Sequence, residues 1–283
     1  MLRLFFPILR HVALFVHSVF IVLGFALVIS HAAEAQSVRE GEEAFEAGNY
    51  DQARHIFEPL AEDGSIYAQY RMGYLHQSGR GLPKDDEAAL AWYQRVLDQD
   101  MDDIPEDATY DPVARTYNNV AVLYDTDGSV PRDCERAYEY YRSSAQRGLP
   151  EGQYGMATML MRGTCFDDTL DDLAVRLYQE AAGAGLAAAQ HQMGLHYCTG
   201  RGVEQSSSTA AVWWREAATQ GYRPAQIYLA DRYMRGKGLP QDDVQAYVWA
   251  SRAILNTSCG GADASEDLQD ALIELEDRMD EEQ

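Results

Sequence analysis

A chain of 283 residues with 45 Asp and Glu against 23 Lys and Arg carries a formal net charge of −22. Such a surface repels phosphate backbones and anionic headgroups, which argues against nucleic acid and against membrane binding by the mature domain. Lysine occurs only as Lys84 and Lys237, so arginine supplies almost all the positive charge.

Residues 1–35 read as a secretory signal. Arg3 and Arg10 form a positive start, Val12 to Ile29 is an apolar run, and Ala33-Glu34-Ala35 has the small-x-small pattern of a signal-peptidase site. The run approaches the length of a membrane span, so an uncleaved anchor is the competing reading. Either way the repeats lie beyond the membrane, in the periplasm or secreted. Residues 37–64 follow as an opening hairpin. Phe45 and Ala47 precede a Gly48-Asn49 turn, and Tyr50, Ala53, Ile56, Phe57 and Leu60 recur at helical spacing.

From there the chain repeats. A small residue recurs as Gly73, Ala121, Ala157, Gly194 and Ala230, at steps of 48, 36, 37 and 36. A second column, Ala89, Ala137, Ala174, Ala210 and Ala246, keeps steps of 48, 37, 36 and 36. Three residues after each alanine come Trp92, Tyr140, Leu177, Trp213 and Trp249. The unit is clearest over Ala189–Gly221, where two helical stripes are broken by Thr199-Gly200-Arg201-Gly202. Such a hairpin cannot bury its apolar face alone, and a period in the thirties means stacked hairpins. The expected fold is all-α, a right-handed α-solenoid of antiparallel helix pairs. Its five repeats are read at 66–98, 113–148, 151–185, 186–221 and 222–257. The small column lets two helices approach closely, and the aromatic column is expected to fill the groove between hairpins.

The long step is an acidic insertion at 98–112. Asp98, Asp100 and Asp102 mimic the start of a calcium loop, but Asp103 stands where glycine is needed and Thr109 where glutamate is needed. The third repeat is irregular: in Gly163-Thr164-Cys165, a cysteine takes the place of the second turn glycine. Residues 265–283 read as an acidic capping helix, with Leu268, Leu272, Ile273, Leu275 and Met279 toward the stack.

The strings AQYRMGYLHQSGRGLPKDDEAALAWYQRV from Ala68, AQHQMGLHYCTGRGVEQSSSTAAVWWREAA from Ala189 and AQIYLADRYMRGKGLPQDDVQAYVWASRA from Ala225 resemble the Sel-one-like repeat family. This family is related to the tetratricopeptide repeats. The resemblance implies protein–protein scaffolding and regulation without a cofactor, rather than one activity. Some cysteine-rich members are described as penicillin-binding or β-lactamase-like. This chain lacks Ser-x-x-Lys, and its cysteines do not recur once per repeat.

A search for chemistry is otherwise negative. GxSxG, HExxH and a phosphate loop are absent, and Gly183-Ala184-Gly185 follows a helix rather than the strand a dinucleotide motif requires. His191 and His196 are five residues apart, roughly 140° around a helix, so they do not share a face as metal ligands would. His196 reads as a packing residue. The four cysteines are Cys134, Cys165, Cys198 and Cys259. Cys134 and Cys165 fall on one edge of adjacent hairpins and form the expected bridge, with Cys198 the rival for Cys165.

First helices line the concave side of such stacks. Their freely varying columns hold Tyr70, Arg71 and Tyr74; Asn118, Asn119 and Val122; Tyr154, Gly155 and Thr158; His191, Gln192 and Leu195; and Ile227, Tyr228 and Asp231. Tyr70, Arg71, Tyr74, Asn118, Asn119, Tyr154, His191, Gln192, Tyr228 and Asp231 are the candidate binding residues for a protein or peptide. The expected function is a monomeric, non-enzymatic adaptor of the bacterial periplasm or envelope, regulating a sensor or the cell-wall machinery. The alternative is a peptidoglycan-binding or β-lactamase-like envelope hydrolase.

Overall fold

A computed structural model describes residues 33–99, 110–163, 170–255 and 266–281, and every regular element among them is α-helical. The chain divides into two compact units, residues 1–113 and 114–283. The expected signal before residue 33, most of the acidic insertion, and both Cys165 and Cys259 lie outside the described residues.

The first unit contains α1 (33–46), α2 (Tyr50–Glu62), α3 (Ile66–Ser78) and α4 (Asp86–Leu97), followed by the start of α5 (Pro112–Asp125). The Gly48 turn joins α1 to α2, and α2 packs on α3 as α3 does on α4. Ala44, Ala53, Phe57, Ala61, Ala68, Met72 and Leu75 form one core cluster. The small column works at Gly73: a β-carbon there would lie 2.6 Å from Tyr93 Cδ1, inside van der Waals contact.

The second unit continues with α6 (Cys134–Gln146), α7 (Pro150–Arg162), α8 (Asp171–Gly183), α9 (Ala187–Thr199), α10 (Ser207–Thr219), α11 (Arg223–Arg235), α12 (Asp243–Leu255) and α13 (Glu266–Glu281). From α6 onward each helix packs against the next. This is the all-α solenoid class of stacked antiparallel helix pairs. The second helices α6 and α10 are capped by side chains, Asp133 accepting from Arg136 N–H and Ser206 from Thr209 N–H, whereas α8 follows Leu170 without one.

Two features of the packing differ from the sequence expectation. Trp92, Tyr140, Leu177 and Trp213 are only half-buried, whereas the residues next to them, Tyr93, Tyr141, Tyr178 and Trp214, are buried. The deeper column therefore sits four residues after each alanine. In the Gly73 and Gly194 hairpins it packs into the space the small residue leaves. Only Trp249 of the expected column is itself buried. In α13, Leu275 is buried but Ile273 is 58% exposed, because it falls off the Leu272–Leu275 stripe that faces α12.

A buried glutamine ties hairpins together. The Nε2 groups of Gln69, Gln190 and Gln226 donate to the carbonyls of Ala61, Ala182 and Ala218, each eight residues earlier. Those carbonyls lie in the last turn of the preceding second helix, where backbone acceptors lack a partner within the helix. In two of the three cases a second glutamine completes the chain, Gln99 donating to Gln69 Oε1 and Gln220 to Gln190 Oε1.

Candidate interaction surface

In the first unit, Tyr70 and Arg71 are 4% and 9% exposed and do not belong to an open face. The Arg71 guanidinium carbon lies 4.6 Å from the Phe45 ring centroid, 5.3 Å from Tyr67, 5.5 Å from Tyr70 and 5.3 Å from Tyr110. Its Nη2 donates to Glu42 Oε2 and, at 3.0 Å, to the Tyr67 hydroxyl. A buried cation is tolerable only when paired in this way. Burial pushes the Tyr67 and Tyr110 hydroxyls far up, so both stay protonated. The aromatic box is thus filled by the chain's own arginine. Of the three candidates in this unit, Tyr74 alone is half-exposed, edge-on to Phe45.

The second unit brings its candidates closer together. Asn118 and Asn119 are half-buried on α5 and bonded to each other. Tyr154 on α7 packs on the Tyr178 ring at 5.6 Å. His191 on α9 is 6% exposed and contacts the rings of Tyr222 at 5.5 Å and Tyr228 at 5.2 Å. Tyr228 on α11 is 37% exposed and rests on Trp214 at 4.9 Å. Tyr154 also lies near enough to Tyr222 to add to the effect of burial in raising that hydroxyl's pKa. Tyr154, Tyr222, His191 and Tyr228 therefore make one aromatic face across α7, α9 and α11. Gln192 is half-buried, and Asp231 pairs with Arg235 and Arg232. Tyr222 was not among the candidates; it occupies the residue before α11, a position held by Leu149 and Leu186 before α7 and α9. That apolar column was the signal for it.

The Sel1 repeat family matches over residues 66–100, 114–149, 150–186, 187–222 and 223–258, well over half of the sequence. The chain belongs to the Sel1 repeat family. A solved protective antigen of uropathogenic Escherichia coli with the same repeat fold superposes with a TM-score of 0.70 at 27% identity, covering 87% of this chain and 49% of the antigen. A Sel1 repeat protein from Oxalobacter formigenes gives a TM-score of 0.59 at 25% identity, covering 78% of this chain and 86% of that one. An uncharacterized protein of Neisseria meningitidis serogroup B is 28% identical over 160 residues, 56% of this chain and 30% of the relative. The chain thus spans less than half of that antigen and under a third of the meningococcal relative.

Within the Sel1 array, the remaining chemistry is sparse. Among the described residues no group of three His, Cys, Asp or Glu is placed to hold a metal ion, and no helix is long and apolar enough to cross a membrane. His196 is buried against Tyr178, with Nδ1 2.7 Å from the Arg201 carbonyl. Cys198 is a half-buried free thiol.

Burial holds the His191 imidazole near a pKa of about 4, against 6.5 for an unperturbed histidine. Between those values the unfolded chain takes up the proton more readily than the folded one. The contribution of His191 to stability is thus complete above pH 6.5 and falls as the pH drops toward 4. The slope should be on the order of 1 kcal/mol per pH unit at most. Thermal melts of wild type and His191→Gln across that range check it. The variant should lose less stability on acidification; an identical fall in both would assign the effect to other groups.

Proposed function

We propose that this Sel1 repeat chain is a non-enzymatic adaptor of the bacterial cell envelope. In this reading it captures another protein on the aromatic face of α7, α9 and α11. A helical repeat array is suited to protein–protein interaction, because each added hairpin extends a rigid surface without needing a catalytic centre. The observation that carries the choice of face is Tyr228, a large ring left 37% exposed against His191, which in turn contacts Tyr222. Tyrosine supplies contact area at little entropic cost, and a hydroxyl that satisfies a partner's polar groups.

Export follows from the Arg3–Arg10 start, the apolar run and the Ala33-Glu34-Ala35 site, which place the mature start at Gln36. The oxidising compartment this implies goes with the Cys134–Cys165 bridge, which belongs to the same proposal. Capture from envelope extract by the full chain tests the face, with N-terminal sequencing of the recovered protein testing the Gln36 start. Tyr154→Ala with Tyr228→Ala should remove capture while the protein stays folded at the assay temperature, with helicity near wild type and a lower melting temperature from the lost ring contacts. Capture undiminished in the folded double variant would move the site off this face.

A further inference from the structure

The aromatic face in the second unit ends at polar groups that are incompletely paired. Arg232 on α11 lies with its guanidinium carbon 5.2 Å from the Trp214 ring centroid, and its side chain is 15% exposed. Its Nε is buried without a hydrogen-bond partner. Its Nη2 approaches Asp231 Oδ2 only to 3.5 Å, and the same carboxylate is already bonded by Arg235. One carboxylate shared by two guanidiniums leaves positive charge uncompensated. Across Trp214 and Tyr228 from it, His191 is more than nine-tenths buried between Tyr222 and Tyr228, and its Nδ1 has no partner. A buried donor left unpaired costs about 1–3 kcal/mol, more when charged, so a fold that keeps the Arg232 Nε unpaired is short of an acceptor there.

The charge of the surrounding helices has the same sign. α7 carries Glu151 and Arg162, α9 carries no Asp, Glu, Lys or Arg, and α11 carries Arg223, Asp231, Arg232 and Arg235. Arg162 pairs with Asp125 and Arg223 donates to the Ala253 carbonyl, so the charge next to Tyr228 is that of Arg232 and Arg235 against the single carboxylate of Asp231, in a chain whose net charge is −22. Charges beyond about 8 Å are screened at physiological salt, so a ligand on this face meets the local arginines more than the distant acids. Tyr228 and Tyr222 supply an apolar wall next to the donors.

Resting on the reading of this face as the interaction surface, we propose that the niche of His191, Tyr222, Tyr228 and Arg232 binds an acidic segment of a partner protein. A partner carboxylate takes the Arg232 donors, and an adjacent apolar or aromatic side chain lies on Tyr228. Arginine suits this role because its planar fork, packed over Trp214, presents donors that match a carboxylate.

The test uses the full chain and three fluorescein-labelled peptides, Glu-Glu-Leu-Tyr-Glu-Glu and its all-Gln and all-Lys counterparts, each amidated and followed by anisotropy at near-physiological salt. The Glu peptide should bind at least about tenfold more tightly than either counterpart. Arg232→Gln should remove most of that preference, Arg232→Lys should keep part of it, and Arg136→Gln on α6 should change nothing. Preference for the Lys peptide, equal binding of all three, or no binding of the Glu peptide overturns the proposal. So does self-association through this face in sedimentation, which would make a second copy the occupant. The two readings fail separately. If Tyr154→Ala with Tyr228→Ala abolishes capture while wild type ignores the Glu peptide, the surface stands and the acidic occupant falls.

Discussion

Replacing Gly194 by valine is expected to destabilise the protein by about 3 kcal/mol, although glycine is ordinarily a poor residue in the middle of a helix. The reason is Trp214. A β-carbon on Gly194 would sit 2.6 Å from the indole Cδ1 and 2.7 Å from Cε2, well inside contact distance. The indole cannot retreat, because it is fully buried and covered by Tyr228 and Arg232. The same substitution type has the opposite sign elsewhere. Gly183, at the end of α8, has no atom within 4 Å of a β-carbon position, so Gly183→Ala should be neutral or stabilising by up to about 1 kcal/mol. A double-mutant cycle of Gly194→Val with Trp214→Leu should show coupling above about 1 kcal/mol, since the smaller side chain vacates the contested space. Denaturant melts of the four proteins check this. Additive losses would mean that Gly194 is not held small by the indole.

The hairpins were readable because two columns kept one period, and because the turn glycines are the residues the geometry requires. Gly200, at φ 76°, closes α9 in the left-handed region that side chains avoid. Which of two neighbouring aromatics lies deepest was not readable. Trp213 and Trp214 differ by about 100° around α10, and both fall within its broad apolar arc. The choice is made by Gly194 on the facing helix. Arg71 was assigned to a surface because its column varies freely from repeat to repeat. Its counter-ion, Glu42, is 29 residues away, and its four rings come from α1, α3 and the segment before α5. No local pattern encodes that box. The same holds for His191, whose burial depends on Tyr222 and Tyr228, 31 and 37 residues further along. The glutamines of the Ala-Gln strings were visible, but their acceptors are carbonyls, which every residue has and no sequence marks.

Cys134→Ser is expected to cost about 3 kcal/mol under oxidising conditions and nearly nothing in reductant, the difference being the proposed bridge to Cys165. Three other hairpins supply the argument. Their first helices end on left-handed Gly79, Gly200 and Gly236, and the residue two further on is Gly81, Gly202 and Gly238. Each of these second glycines meets the first turn of the preceding second helix. A β-carbon on Gly81 would lie 2.8 Å from Tyr50 Cβ, and one on Gly238 would lie 2.9 Å from Ser207 Cβ. A β-carbon on Gly202 would lie 2.7 Å from Val175 Cγ2 and 3.7 Å from the Asp171 carbonyl oxygen. Tyr50, Ser207 and Asp171 are the first residues of α2, α10 and α8. In the irregular hairpin the left-handed residue is Gly163, so the matching position is Cys165, and the first residue of the preceding second helix is Cys134. Disulfide β-carbons sit roughly 3.5–4.5 Å apart, so the register of the three regular hairpins suits a bridge between these two positions. Closing a loop of roughly 30 residues accounts for the expected magnitude in the chain-entropy account. Thiol titration of the denatured, unreduced protein gives an independent readout. Cys198 and Cys259 should react in wild type, and Cys134→Ser should add one further thiol. Cys198 shielded from titration in wild type, or full reactivity of all four cysteines, would sink the assignment.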